Sequence, residues 1–567
     1  MPASQDLKKR KNHYIASFGI NFLTHPNQYK HWVIKIEEDI AWLGLNVSES
    51  DTLGDGYQLK LNSYDLGVDI ELNDAIQRIR FEHPSIRCVI IHSLNERVFC
   101  AGANIKMLGY SNHAHKVNFC KFTNETRNAI ENATKNSSQT YLCAIQGSCA
   151  GGGYELALAC DEIYLADDGS SAVSLPELPL LAVLPGTGGL TRLVDKRLVR
   201  KDRADFFCTT EEGIKGKRAL EWGLVDRIIP ASSFAEQVMS RAKEIAAGKN
   251  PESAAVGIQF TPLNRSFKEN SIEYSHLSIT IDRTLSSATF TLHSNHTDLP
   301  HDLAGIMSEG SDFWPLLIAR ELEDAILHMR FNEDEIGTWI FKTSGESADV
   351  LKAESLLKDH ESAPVIKEIV LYLERTLKRI DVSARSLIAA IEPGSCFCGI
   401  LAELAFACDQ SYMLLGQFEE DGRPETFITL TEFNFGSLRM VNELTRLESR
   451  FYGQKELLTA VEENTLNRID PKTAEQLGLV TFTPDDIDWE DELRIAIESR
   501  AVFSPDALSG MEANLRFVGP ETIESKIFSR LSAWQNWIFQ RPNAVGEDGA
   551  LSLYGSGERP KFQKGRV

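Results

Sequence analysis

Apolar and polar residues alternate along Tyr29-Lys-His-Trp-Val-Ile-Lys-Ile36, the period-two pattern of a half-buried edge strand. In Leu72-Asn-Asp-Ala-Ile-Gln-Arg-Ile-Arg-Phe81 the apolar residues recur instead at i, i+3, i+4 and i+7, which predicts an amphipathic helix. Arg87-Cys-Val-Ile-Ile-His-Ser93 reads as the next strand. Val98-Phe-Cys-Ala-Gly-Ala-Asn-Ile-Lys-Met-Leu108 then turns through Gly102 into a predicted helix. Ala144-Ile-Gln-Gly-Ser-Cys-Ala-Gly-Gly-Gly-Tyr-Glu-Leu-Ala-Leu-Ala-Cys-Asp161 reads as a buried strand, a glycine turn and a helix that opens with Glu155.

The same patterns return in the same order roughly 250 residues later. Tyr274-Ser-His-Leu-Ser-Ile-Thr-Ile281 repeats the first strand, Leu322–Phe331 the helix, and Thr338–Thr343 the second strand. Ala390-Ile-Glu-Pro-Gly-Ser-Cys-Phe-Cys-Gly-Ile-Leu-Ala-Glu-Leu-Ala-Phe-Ala-Cys-Asp409 is a worn copy of the glycine segment, and Glu403 answers to Glu155. Leu175-Pro-Glu177 and Gly189-Leu-Thr-Arg-Leu193 have fainter echoes in Leu430-Thr-Glu432 and Glu443-Leu-Thr-Arg-Leu447. Chance similarity would not keep order, so the pattern predicts an internal duplication. We expect one domain over residues 1–268, a second over 269–485 and a helical region with an extended tail over 486–567. The polar stretch Pro262–Asn270 reads as a linker, and Trp534, Trp537 and Phe539 as one apolar helix face. Strands alternating with helices in each half predict an α/β class with crossover connections.

The 567 residues are 43% hydrophobic and 25% charged, which fits globular domains with sizeable cores and excludes general disorder. A net charge of -22, from 59 basic and 81 acidic residues, repels nucleic acid and anionic membranes, so neither is an expected partner. An anionic small ligand would need local cations; Lys106, Lys116 and Lys121 are candidates. The ten cysteines form no C-x-x-C pair and read as reduced thiols of a cytoplasmic protein rather than a metal site. Met1–Arg10 is polar, without the apolar core of a secretory signal, and no apolar run approaches the ~20 residues of a membrane helix.

The candidate chemistry lies in the first half. Glycines at 102 and 151–153 leave backbone N–H groups bare at two strand-to-helix turns. Two such donors converging on one oxygen would hold a charge that develops during reaction. Each turn alone reads equally as a tight connection that needs glycine for positive φ. Glu155 falls in the first turn of its helix, where a capping role is the alternative. Glu177 lies in Ser174-Leu-Pro-Glu-Leu-Pro179, where prolines on both sides are expected to block a helix and present the carboxylate from a stiff loop. Two carboxylates at one activated carbonyl could position water and move protons. Pro185–Leu193 is glycine-rich but lacks the G-x-x-x-x-G-K-[ST] of a nucleotide loop. His113 and His115 are expected on a solvated helix face rather than at a metal.

Phe99-Cys-Ala-Gly-Ala-Asn-Ile-Lys106, Gly147-x-x-x-Gly-Gly-Gly-x-Glu-Leu-Ala157, Pro176-Glu177 and Gly186-Thr-Gly-Gly-Leu-Thr-Arg192, in that order, resemble the crotonase (enoyl-CoA hydratase/isomerase) superfamily. The resemblance implies tandem spiral ββα domains, the second degenerate, and a site for a coenzyme A thioester. It implies that the N–H groups of Ala103 and Gly152 form the oxyanion hole, that Glu155 and Glu177 are the catalytic pair, and that Ala101, Asn104, Ile105, Gly151 and Gly153 line the substrate. Three departures stand out. Asn104 replaces the usual aspartate, the spacing of the glutamates is slightly long, and Asn46–Gly67 is an insertion. Lys116–Arg127, Gly152–Leu165 and Ala533–Val545 resemble one branch more closely, the benzoyl-CoA-dihydrodiol lyases. That family opens the ring of 2,3-epoxybenzoyl-CoA with water, releasing formate and 3,4-didehydroadipyl-CoA semialdehyde. The resemblance implies no metal or redox cofactor and a small homo-oligomer such as a dimer. An ordinary enoyl-CoA hydratase/isomerase and a non-enzymatic acyl-CoA-binding or scaffold protein are the alternatives.

Overall fold

Alternation at the start of the chain produces β1 (Trp32–Glu37) in a computed structural model that describes residues 19–248, 256–294 and 299–567. The segment Met1–Arg10 lies outside the described residues. Compact units divide between Phe260 and Thr261, rather than at 268/269.

In the first unit, β1 pairs antiparallel with β2 (Ile40–Leu45). Parallel strands β3 (Cys88–Ser93), β5 (Thr140–Ile145), β7 (Glu162–Asp167) and β9 (Arg227–Pro230) follow in the order β1-β2-β3-β5-β7-β9. The predicted amphipathic helix spans Leu66–Glu82 and is capped by Asp65, whose carboxylate accepts the Gly67 N–H at 2.9 Å. Glu71 on this helix accepts the N–H groups of Lys30, His31 and Trp32 at 2.7, 2.8 and 3.0 Å, fixing the entry into β1. Ile90, Leu142 and Tyr164 from three adjacent strands pack with Phe234, Val238 and Ala242 of the Phe234–Ala247 helix.

A second, three-stranded parallel sheet positions the site. β4 (Val98–Cys100), β6 (Ser148–Ala150) and β8 (Ala172–Ser174) follow β3, β5 and β7 in sequence and pair in the order β4-β6-β8. Each long strand thus feeds a short strand and then a helix: Ile105–Tyr110, Gly152–Ala159 and Glu177–Leu181. The repetition brings the three turns after β4, β6 and β8 side by side.

The second unit carries a seven-stranded sheet in sequential order. It comprises β10 (Ser266–Lys268), β11 (Ser271–Glu273), β12 (Leu277–Asp282), β13 (Ser287–His293), β14 (Thr338–Ser344), β15 (Ser386–Ile391) and β16 (Gln410–Met413). Pairing is antiparallel up to β13 and parallel beyond it, as in the first sheet beyond β2. Glu321 accepts from Ser275 and His276 N–H at 3.0 and 2.9 Å, the role Glu71 plays earlier. Tyr274 donates to Asp324 at 2.8 Å, as Tyr29 does to Asp74 at 2.5 Å. Among the described residues no three-stranded second sheet forms here; only the isolated bridges Cys398↔Thr429 and Ile428↔Ile469 stand in its place.

Two expectations need correction. The stretch expected as a linker contributes β10, because Phe267 and its neighbours pair with β11. Residues 486–567 are helical over Trp489–Val502, Pro505–Arg516 and Ser532–Ile538, but they belong to the second unit. Their end is anchored: Arg566 is buried, pairs with Glu512 and donates to Ser386 Oγ at 3.1 Å. Trp534 and Trp537 meet edge-on at 5.5 Å, while Phe539 stays 55% exposed.

Candidate active site

The turns after β4 and β6 touch. Gly102 has φ +84° and Gly151 φ +53°, a region open to glycine. A Cβ at Gly102 would stand 2.9 Å from the Ala150 carbonyl oxygen and 2.9 Å from Gly152 N. Tyr64 N–H donates to the Gly102 carbonyl at 3.0 Å, and Asn104 N–H donates to the Tyr64 carbonyl at 2.8 Å. Ala103, between them, therefore turns its own N–H away from Tyr64. Neither the Ala103 nor the Gly152 N–H has a main-chain acceptor among the described residues. Two bare donors on abutting turns can each donate to an acceptor oxygen placed between them.

The two glutamates have opposite surroundings. Glu155, in the first turn of its helix, is buried. Its Oε1 accepts the N–H groups of Thr187 and Gly189 at 2.9 and 2.8 Å, and its Oε2 accepts the Thr187 hydroxyl. Glu177 follows β8 and its carboxylate lies against Gly151, where a Cβ would be 2.8 Å from Oε1. Its Oε2 is buried without a hydrogen-bond partner. Burial first, and then the charge of Glu155, push the Glu177 carboxyl up to about 7. Glu177 begins the short Glu177–Leu181 helix rather than lying in a loop. Prolines are tolerated in a first helical turn, where the missing N–H would be unpaired in any case.

The cleft beside Ala103 has a volume of about 500 Å³. Ala101, Asn104 and Ile105 line it, as does Lys106. Gly151 faces Glu177 instead, and Gly153 packs against Cys100, where a Cβ would sit 2.6 Å from that of Cys100. Tyr57, Gln58, Lys60 and Ser63 from the insertion line it as well. The insertion was visible in the sequence, but nothing in it signalled this role. Asn104 ties the insertion to the turn after β4. Its Oδ1 caps the Ile105–Tyr110 helix through Met107 N–H at 3.0 Å, and its amide donates to the Gln58 carbonyl at 2.8 Å and Ser63 Oγ at 3.0 Å. An aspartate could cap the helix but could not donate to Gln58, which accounts for the departure at this position. Lys116 and Lys121 lie on the His113–Asn136 helix and do not line the cleft. His115 is buried rather than solvated, and burial lowers its pKa. None of the ten cysteines forms a disulfide. No group of three or more metal-ligating side chains occurs among the described residues.

In the second unit the corresponding groups are consumed internally. Glu403 is fully buried and accepts from Arg446 Nη1 at 2.9 Å and Asn434 Nδ2 at 2.7 Å, while Arg446 also binds Asp381 at 2.8 Å. Gly399 keeps a positive φ of +47°, but the following Ile400 N–H donates to the buried Glu354 carboxylate. The donor that answers to Gly152 is therefore occupied by the chain itself.

Residues 58–291 match the enoyl-CoA hydratase/isomerase family. A benzoyl-CoA-dihydrodiol lyase of Aromatoleum evansii is 50% identical over 548 residues, covering 97% of this chain and 98% of that protein. The fatty acid oxidation complex subunit alpha of Vibrio vulnificus is 31% identical over 232 residues, 38% of this chain and 30% of its own. A solved enoyl-CoA hydratase structure from Geobacillus kaustophilus aligns over 39% of this chain and 75% of its own, with 36% identity and a TM-score of 0.34.

Proposed function

The chain belongs to the benzoyl-CoA-dihydrodiol lyase family, within the enoyl-CoA hydratase/isomerase fold family, and we propose that it cleaves the ring of 2,3-epoxybenzoyl-CoA hydrolytically. The products are 3,4-didehydroadipyl-CoA semialdehyde and formate. What supports this reading most is the pairing of Glu177, with one free buried oxygen and a carboxyl that titrates near 7, with two bare N–H donors.

The thioester carbonyl is conjugated with the ring. Hydrogen bonds from Ala103 and Gly152 draw electron density onto its oxygen and make the oxidised ring electrophilic, a contribution of several kcal/mol. Glu177 gives and takes protons as water enters and the ring C–C bond breaks. Glu155, held by Thr187 and Gly189, stays in a fixed position beside it and orients water. The lost ring carbon leaves as formate. Two waters balance the equation, so no electrons enter or leave, and the reading requires neither a redox cofactor nor a metal. Lys60 and Lys106 put positive charge at the cleft mouth of an acidic chain, which suits the phosphates of a coenzyme A ester.

The second unit is read as a degenerate, non-catalytic copy of the first. The shared strand pairing, the Glu71/Glu321 and Tyr29/Tyr274 correspondences and the occupied Ile400 donor support this. A small homo-oligomer such as a dimer in the cytoplasm is part of the same reading. The test compares formate release from 2,3-epoxybenzoyl-CoA with hydration of crotonyl-CoA. Formate production is expected to dominate; hydration without formate would favour a simple hydratase, and ester binding with neither reaction a binding protein.

A further inference from the structure

The two oxyanion donors sit on separate turns, and one side chain spans both. We infer that Tyr64 is a positioning residue that sets the placement of the Ala103 N–H relative to the Gly152 N–H, an inference that rests on the thioester reading above. Its backbone brackets Ala103, through Tyr64 N–H to the Gly102 carbonyl and Asn104 N–H to the Tyr64 carbonyl. Its phenol lies against Gly152, so closely that any side chain there would collide with the ring. The phenol oxygen accepts from Arg127 Nη2 at 3.2 Å, and the same nitrogen donates to the Gly152 carbonyl at 3.0 Å. Arg127 is buried and held in turn by the Thr123 carbonyl at 3.0 Å and by Asp69 at 3.6 Å, a carboxylate that also accepts the Thr123 hydroxyl. The Tyr64 ring packs on Phe119 at 5.9 Å. One turn is thus gripped by the Tyr64 backbone and the other by its side chain through a buried guanidinium. Neither turn can shift without moving the other.

Tyr64→Phe removes the bond to Arg127 and leaves the ring in place. The measurement is the isotope-edited infrared stretch of [carbonyl-13C]benzoyl-CoA bound to the enzyme, with kcat, KM and Tm alongside. Wild type is expected to move the stretch to lower frequency than in the free ester. Tyr64→Phe is expected to lose about half of that shift and about tenfold in kcat, short of the ~100-fold or more for deleting a donor outright. Its KM should stay within about twofold. Phe119→Leu, which loosens the same ring but keeps every hydrogen bond, should lower Tm and retain the shift. Full retention of the shift and of kcat in Tyr64→Phe, or equal loss in Phe119→Leu, overturns the role of Tyr64. Absence of any shift in wild type would overturn the oxyanion reading itself.

Discussion

Glu155 has both carboxylate oxygens engaged, by Thr187 and Gly189, whereas Glu177 keeps a buried oxygen free. One is locked in place by hydrogen bonds, and the other, pushed up to about 7, is left able to exchange a proton near neutrality. Glu177→Gln should therefore lower kcat by roughly 10²–10⁴-fold with little change in KM, and should erase a titration near pH 7 from the kcat/KM profile. The same residue has a stability signature. Its folded pKa lies above the unfolded one, so its contribution is fully present below about pH 4.5 and is lost as pH rises towards 7. Glu177→Gln should accordingly gain thermal stability relative to wild type at pH 8 more than at pH 5, read by calorimetry. Both glutamates were legible from their motifs. Thr187 was not: it lies 32 residues from Glu155 in sequence, and only the fold brings its hydroxyl to that carboxylate.

At the scale of elements, three strand–strand–helix repeats build the site by placing the turns after β4, β6 and β8 together. The long strands and helices were readable from period, because their apolar faces are continuous. The three-residue strands of the small sheet were not, since so short a run carries no period. The Glu177 helix was missed because its prolines fall in the first turn, where they do no harm. The insertion was visible but mute, and Asn104 is what gives it meaning. Asn104→Asp keeps the helix cap and loses the donations to Gln58 and Ser63. It should raise KM for the coenzyme A ester severalfold, with a stability change of about 1 kcal/mol, measured by steady-state kinetics and denaturant unfolding.

At the scale of the molecule, the expectation of a repeat rests on order that survives where identity fades, and Tyr274, Glu321 and Asp324 make the same kinds of bonds as Tyr29, Glu71 and Asp74. The surroundings of Glu403 were not legible, because Arg446, which also pairs with Asp381, meets it only after folding. The buried tail end at Arg566 likewise left no periodic trace. Glu403→Gln breaks a buried ion pair and should cost ~3–5 kcal/mol of stability, while the folded fraction keeps wild-type kcat/KM. Dialysis against EDTA should leave turnover unchanged, because in the proposed reaction no electrons enter or leave and backbone donors and glutamates would meet its charges. The most direct test of the whole account is formate measured from 2,3-epoxybenzoyl-CoA with wild type, Glu155→Gln and Glu177→Gln. We predict one formate per ring opened by wild type, and severe loss in both variants with benzoyl-CoA binding retained. Near wild-type formate release by both variants would contradict it.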